Sequence, residues 1–269
     1  MKRGDISKRN KKGQVTVFII AAILIVGFAV LIYFLGPGLT GTTGFDAKTP
    51  SGFIQTCLEE DIQNAVNLVS SQGGSINPEN FILYQSNKIE YLCYTTEYYK
   101  TCSTQQADLK EHIESEIKNA IKDKTANCFN ELKSNYQEKG YTVNLETGET
   151  RAELLPKRVV TTFNYTLTAT KTDTERFSSF NVILNNNLYE LTSIANSIID
   201  WESTYGDAET TIYMDYYKDL KVEKVGRDGS KIYILTDRNT GNKFQFASRS
   251  VVWPPGYGIE GIATNPDEI

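Results

Sequence analysis

Four cysteines are the residues whose type and spacing most clearly predict chemistry: Cys57, Cys93, Cys102 and Cys128. An even number of cysteines in an oxidising compartment favours disulfides, and three connectivities are open. We prefer Cys93–Cys102, which closes a ten-residue loop, and Cys57–Cys128, which joins the apolar faces of two predicted helices. The alternatives are free buried thiols and a zinc site, but spacings of 36, 9 and 26 residues lack the short paired spacing of zinc sites.

The only histidine, His112, limits the catalytic mechanisms that the chain could support. A Ser-His-Asp or Cys-His arrangement would have to use it. It lies on a predicted helix between Glu111 and Glu114, where we expect a solvated face. The sequence contains no Walker and no GxSxG motif. We therefore predict no catalytic residue, no cofactor and a non-enzymatic function.

Two oxygen-rich segments could in principle bind a cation. Residues 59–61 form an acidic run near the start of a predicted helix, where the helix dipole favours carboxylates on a solvated face. Residues 237–242 offer oxygens at the spacing of some calcium loops, but the closing glutamate is missing and a hairpin turn explains them more simply. We therefore predict no metal site.

Tyrosines are concentrated in the predicted Cys93–Cys102 loop, which contains Tyr94, Tyr98 and Tyr99. Tyrosine offers a large contact area at low entropic cost together with a polar tip, so a closed tyrosine-rich loop indicates a recognition surface. The alternative is that these are strand residues of high β propensity that pack on a sheet. Separately, Asn164 begins a single N-glycosylation sequon, which is meaningful in an extracytoplasmic domain.

An uncharged apolar segment near the N-terminus predicts how the protein is attached to the cell. Residues 15–35 contain 21 residues without a charge, and as a helix they would run about 31 Å, close to the thickness of a bilayer core. Residues 1–13 before them hold six basic side chains and one acidic one, a net charge of +5. This arrangement predicts a transmembrane helix with a cytoplasmic N-terminus. A buried core helix and a cleaved signal peptide are the weaker alternatives.

Residues 11–18, with the sequence KKGQVTVF, run directly into this apolar segment. They resemble the class III signal of archaeal type IV pilin-like proteins, in which a prepilin-type peptidase cuts after the glycine. The resemblance implies cleavage between Gly13 and Gln14, with the remaining helix as anchor or filament core. A plain signal anchor is the alternative. Phe18 stands where many pilins have glutamate, and Gly-Pro-Gly at 36–38 interrupts the helix, so processing is favoured over polymerisation.

The rest of the chain predicts an α+β extracytoplasmic domain. Residues 36–52 are rich in glycine and threonine and predict a flexible linker. Strands and helices without βαβ alternation follow over residues 53–255, and residues 256–269 predict a loose tail. Apolar residues at three- and four-residue spacing predict a first amphipathic helix, and a second, longer helix is predicted over residues 106–137. A meander of strands is predicted over residues 220–247. The predicted apolar face of the first helix consists of Phe53, Ile54, Cys57, Leu58, Ile62, Ala65, Val66 and Val69. Residues 14–269 carry 22 basic and 32 acidic side chains, which argues against nucleic-acid binding.

Together these patterns predict a membrane-anchored, pilin-like cell-surface protein with a structural, adhesive or assembly role. Its expected partners are the lipid bilayer, a prepilin-type peptidase, and either further copies of itself or another surface protein. Its expected location is the cell membrane, with the C-terminal domain outside the cytoplasm. The alternative is an unprocessed single-pass membrane protein whose outer domain binds a ligand or partner protein.

Overall fold

A computed structural model describes residues 49–227 and 229–250, all of which belong to the unit Asp46–Ile269. The predictions for residues 1–48, including the basic leader, the span, the linker up to residue 48 and the processing residues Gly13 and Gln14, lie outside the described residues. The same is true of the predicted tail.

The predicted fold class, an α+β domain with a single N-terminal transmembrane helix, is wrong in its second part. Among the described residues, no helix is long and apolar enough to cross a membrane. The longest helix described, α1 (Pro50–Ser71), has 22 residues but carries the acidic run 59–61 and is amphipathic. The apolar segment 15–35 itself lies outside the described residues. The structure shows an α+β domain with two sheets.

Helix α1 begins at Pro50, three residues before the predicted start of the domain. Proline suits the first helical turn because it has no N–H to leave unpaired, and Thr49 accepts a hydrogen bond from the Gly52 N–H at 3.1 Å. The helix ends at Ser71, and Gly73, two residues further on, has a φ of +82° that favours glycine. The buried face matches the predicted apolar positions Ile54, Leu58, Ile62, Ala65, Val66 and Val69.

The predicted long helix over residues 106–137 is two helices, α2 (Leu109–Ala120) and α3 (Lys122–Glu138). Buried residues recur at every fourth position from Leu109 to Ile121. On a straight helix, a repeat of four residues drifts by about 40° per step, so the apolar stripe would leave the core. The break at Ile121 lets both helices pack against α1.

One sheet has the strand order β1-β2-β10-β9-β8, with β3 added beside β2. Its strands are antiparallel except for β2 and β10, which pair in parallel. The C-terminal meander was predicted, whereas this parallel pairing with a distant strand was not. The strands are β1 (Phe81–Tyr84), β2 (Asn87–Tyr94), β3 (Ser103–Thr104), β8 (Leu220–Arg227), β9 (Ser230–Asp237) and β10 (Lys243–Arg249).

The second sheet is built around β6, which pairs with β7 along one side and with β4 and β5 on the other. The pairing is irregular between Phe163 and Thr166. A Cβ on Gly148 would lie 1.9 Å from the Asn164 carbonyl oxygen, so only glycine fits there. The strands are β4 (Thr142–Glu146), β5 (Thr150–Leu155), β6 (Arg158–Thr170) and β7 (Thr174–Asn185).

Two further helices follow the second sheet, α4 (Leu188–Tyr205) and α5 (Thr211–Tyr216). Helix α4 contacts strands of both sheets, as does α1, so one main core joins helices and sheets. Gly206 ends α4 with a φ of +81°, and its N–H donates to the Glu202 carbonyl oxygen at 3.0 Å. The last turn of α4 is therefore closed by a backbone hydrogen bond.

Candidate functional site

The prediction of disulfides is confirmed, since the structure contains two. Cys57 of α1 is bonded to Cys128 of α3, and Cys93 at the end of β2 is bonded to Cys102. This is the pairing that we preferred from the helix faces and the loop length. All four cysteines are bonded, which excludes the free-thiol and zinc alternatives.

The tyrosine loop, residues 94–101, is the segment closed by the Cys93–Cys102 disulfide. Tyr98 and Tyr99 expose 53% and 67% of their surface, whereas Tyr94 is half-buried. The ring of Tyr94 packs at 4.9 Å from that of Tyr91 on β2. Two of the three tyrosines predicted for a recognition surface therefore face solvent, and the third fixes the base of the loop.

The loop is held at both ends by the C-terminal end of β10, through the backbone of Arg249 and the side chain of Ser250. The Thr95 N–H donates to the Arg249 carbonyl oxygen at 3.0 Å, and the Cys102 N–H donates to Ser250 Oγ at 3.1 Å. Tyr99 adopts a φ of +64°, an uncommon conformation for a residue other than glycine. These contacts fix the ends of the loop without burying the rings of Tyr98 and Tyr99.

A buried polar network centred on Glu202 lies beside the loop. The Glu202 carboxylate is fully buried and accepts hydrogen bonds from Tyr233 Oη and from Ser248 Oγ, the latter at 2.9 Å. Lys231, itself 8% exposed, places Nζ 2.7 Å from Glu202 Oε2. Because each carboxylate oxygen has a partner, the network stabilises the fold and offers no open position to a substrate.

Neighbouring groups complete the network. Lys231 Nζ also donates to the Gly206 carbonyl oxygen at 2.5 Å and to Asp207 Oδ1 at 3.2 Å. Burial, followed by the nearby Glu202 charge, raises the pKa of Tyr233 far above its ordinary value, so its hydroxyl stays protonated and acts as a donor. The network therefore joins α4 to strands β9 and β10.

A second group of exposed side chains was missed by the sequence analysis. Of the ten large hydrophobic side chains that are exposed among the described residues, five lie between residues 201 and 217. The Trp201 and Tyr205 rings are 5.0 Å apart, as measured between their centroids. The sequence contains a signal for this group, since large apolar residues stand four positions apart on each helix. The pairs are Trp201 with Tyr205 on α4 and Ile212 with Tyr216 on α5. The five residues are Trp201, Tyr205, Ile212, Tyr216 and Tyr217, and we call the four aromatic ones the α4–α5 aromatic residues.

The prediction that His112 lies on a solvated face is wrong. Its Nε2 lies 2.7 Å from Ser75 Oγ, and that hydroxyl also contacts the Glu90 carboxylate. Burial raises the pKa of Glu90, and the Ser75 hydrogen bond opposes this. The carboxylate contacts the serine and not the ring, which differs from the order of a hydrolase triad. Ser75 is only 5% exposed, so the cluster fixes α2 against the loop after α1.

The remaining predicted site residues lie apart from the tyrosine loop. The Asn164 side chain is exposed where the pairing of β6 is irregular. Asp237 Oδ1 accepts hydrogen bonds from the Asn239 and Thr240 N–H groups at 3.0 and 2.8 Å, which is the geometry of a capped hairpin turn. Within residues 49–227 and 229–250, no group of three or more His, Cys, Asp or Glu side chains is placed to hold a metal ion.

The fold and these residues define the class of the protein as an α+β domain with two disulfides and two groups of exposed aromatic side chains. The chain matches no protein-family model, no curated protein and no solved structure.

Proposed function

We propose that the protein is a pilin-like cell-surface protein with a structural, adhesive or assembly role, and that the tyrosine loop contacts its protein partner. The observation that carries the proposal is the exposure of Tyr98 and Tyr99 on a loop closed by a disulfide. Large exposed aromatic side chains are typical of interaction sites. A loop fixed before binding loses less conformational entropy when the partner arrives.

The proposed location is the outer side of the cell membrane. Two disulfides support it, because disulfides persist in oxidising compartments and are rare in the cytosol. The exposed Asn164 side chain is available to a glycosylation enzyme in such a compartment. The proposed function is non-enzymatic, and the burial of Ser75 beside the only histidine supports this.

Processing by a prepilin-type peptidase is part of the proposal. Mass spectrometry of the N-terminus of the protein from its native cells tests it. A mature chain that begins at Gln14 supports the pilin-like route. An intact Met1 contradicts it and supports the alternative, an unprocessed surface protein that binds a ligand or partner protein.

The tyrosine loop is tested by replacing both exposed rings, Tyr98→Ser with Tyr99→Ser, in the full-length chain. Cell adhesion and electron microscopy of sheared surface material measure adhesion and assembly. We expect the double variant to lose both activities while its thermal unfolding midpoint is unchanged, because both rings face solvent. Ile183→Ser, at an exposed position on β7, is the matched control and should retain them. Full adhesion and assembly in the double variant would contradict the proposal.

A further inference from the structure

We propose that Asn164 carries an N-linked glycan in the exported protein. The triplet Asn164-Tyr165-Thr166 is the only N-glycosylation sequon in the chain. The inference rests on the proposed location outside the cytoplasm, because sequons are modified in exported proteins. It goes beyond that location, since it assigns a covalent modification to one atom, Asn164 Nδ2.

The face of the strand on which the sequon lies is the first observation. Successive side chains of a β-strand point to opposite faces, so Asn164 and Thr166 share one face and Tyr165 points to the other. The Tyr165 ring packs 4.3 Å from the ring of Phe129, as measured between their centroids, and Phe129 is buried in the main core. Asn164 is exposed and Thr166 is half-buried. Both side chains that a glycosylation enzyme must reach therefore lie on the face of β6 that points away from the core.

The local backbone is the second observation. Regular pairing of β6 with β7 is interrupted between Phe163 and Thr166, where two residues of β6 stand opposite the single residue Ser179 of β7. This is a β-bulge, which interrupts the ladder and redirects side chains. On the other edge of β6, the Asn164 N–H donates to the Glu149 carbonyl oxygen at 2.9 Å. The main chain of Asn164 is therefore held by the turn before β5, while its side chain stays exposed.

The polar character of the surrounding face is the third observation. The side chains that neighbour the sequon on this face of β4, β6 and β7 include many hydroxyls and amides, which both donate and accept hydrogen bonds. The hydroxyls of a sugar do the same, so a glycan attached at Asn164 can form hydrogen bonds with the sheet beside it. Six such residues are exposed or half-buried and belong to this face by the strand register: Asn144, Thr162, Thr166, Thr168, Ser178 and Asn181.

The modification needs a transferase outside the cytoplasm and a co-reactant, a glycan carried on a lipid phosphate. The bond from Asn164 Nδ2 to C1 of the first sugar forms as the bond from C1 to the phosphate oxygen breaks. The lipid phosphate leaves with the electron pair of the broken bond, and Nδ2 gives up one proton to a base of the transferase. Nothing is oxidised or reduced, and the backbone hydrogen bonds of β6 are unchanged.

Mass spectrometry of a tryptic digest of the full-length protein from its native cells tests the inference. Trypsin cuts after Arg158 and Lys171 and releases the peptide 159–171, in which Asn164 is the only asparagine. We expect this peptide to be heavier than its sequence by the mass of a glycan, with fragmentation placing the added mass on Asn164. In the Asn164→Gln variant the added mass should be lost completely.

Two substitutions at position 166 separate recognition of the sequon from the fold of the strand. Thr166→Val keeps the β-branched shape and removes the hydroxyl that the sequon needs, so the added mass should be lost. Thr166→Ser keeps a hydroxyl and should retain the added mass. Thr168→Val, two residues further along the same face, is the matched control and should also retain it.

Three outcomes would overturn the inference. The first is an unmodified peptide 159–171 from protein in which both disulfides are formed, because the domain would then have reached an oxidising compartment without receiving a glycan. The second is an added mass that remains in Asn164→Gln, which would place the modification on another residue. The third is an added mass on Asn164 that survives Thr166→Val, which would exclude recognition of the sequon. An unmodified peptide together with four reduced cysteines would contradict the proposed location as well, so failure of the proposed function is distinguishable from failure of this inference alone.

Discussion

Replacing Lys231 by methionine tests whether the buried network holds the domain together. The Lys231 ammonium is 2.7 Å from Glu202 Oε2, and the glutamate is fully buried. Methionine is apolar and of similar length, so the variant removes the charge and its hydrogen bonds and largely keeps the packing. The Glu202 carboxylate then keeps only its hydroxyl partners, Tyr233 and Ser248.

The expected magnitude follows from this loss. Removing one partner of a buried ion pair costs about 3–5 kcal/mol, because an uncompensated charge stays in the interior. The additional loss of the bonds from Lys231 to the Gly206 carbonyl and Asp207 places Lys231→Met at the upper end of this range. Adding Glu202→Gln removes the stranded charge, so the double variant should lose less than the sum of the two single variants.

Urea unfolding of the oxidised protein at neutral pH, followed by circular dichroism, measures these free energies of unfolding. Lys221→Met is the matched control, because Lys221 forms an ion pair with Glu223 at 2.9 Å in which both side chains are exposed to solvent. Exposed pairs contribute about 1 kcal/mol or less. If Lys231→Met costs no more than this control, or if the double variant is additive, then the network does not stabilise the fold as argued.

The disulfides and Glu90 give two further predictions. Replacing Cys57 and Cys128 by alanine should cost about 4 kcal/mol and replacing Cys93 and Cys102 about 3 kcal/mol, because the sequence separations they close are 71 and 9 residues. Urea unfolding measures both, and a larger loss from the shorter loop would contradict the chain-entropy reasoning. Burial raises the pKa of Glu90, so its stabilising contribution is full below its ordinary value of 4.5 and is lost as pH rises through the raised pKa. Glu90→Gln should therefore gain stability relative to the parent as pH rises toward neutral, and a pH-independent difference would refute this.

Local periodicity explains what the sequence could predict. The apolar face of α1 is repeated at three- and four-residue spacing, and the buried residues of the helix fall on that face. Because Cys57 and Cys128 both lie on apolar helix faces, the same pattern indicated their pairing. The closure of the tyrosine loop could also be predicted, since its disulfide joins cysteines with a sequence separation of only 9 residues.

Contacts between distant segments explain what the sequence could not predict. The parallel pairing of β10 with β2 joins Ala247 to Tyr91, and nothing in either strand identifies the other. Strand β5, with the sequence TRAELL, consists largely of residues that favour helices, and its pairing with β6 overrides that preference. His112 was misplaced because Ser75, whose hydroxyl lies 2.7 Å from its ring, is 37 residues away in the sequence.

Glu202 connects the end of α4 to the tyrosine loop. Its carbonyl oxygen accepts hydrogen bonds from Gly206 and Ser250, and its carboxylate joins α4 to Lys231 and Tyr233 of β9. Ser250 in turn accepts from the Cys102 N–H at the end of the tyrosine loop. A variant that disrupts Glu202 should therefore change both the tyrosine loop and the end of α4 that carries Trp201 and Tyr205. Substitutions of exposed side chains at either place should act there alone, because those side chains point to solvent and away from the shared network.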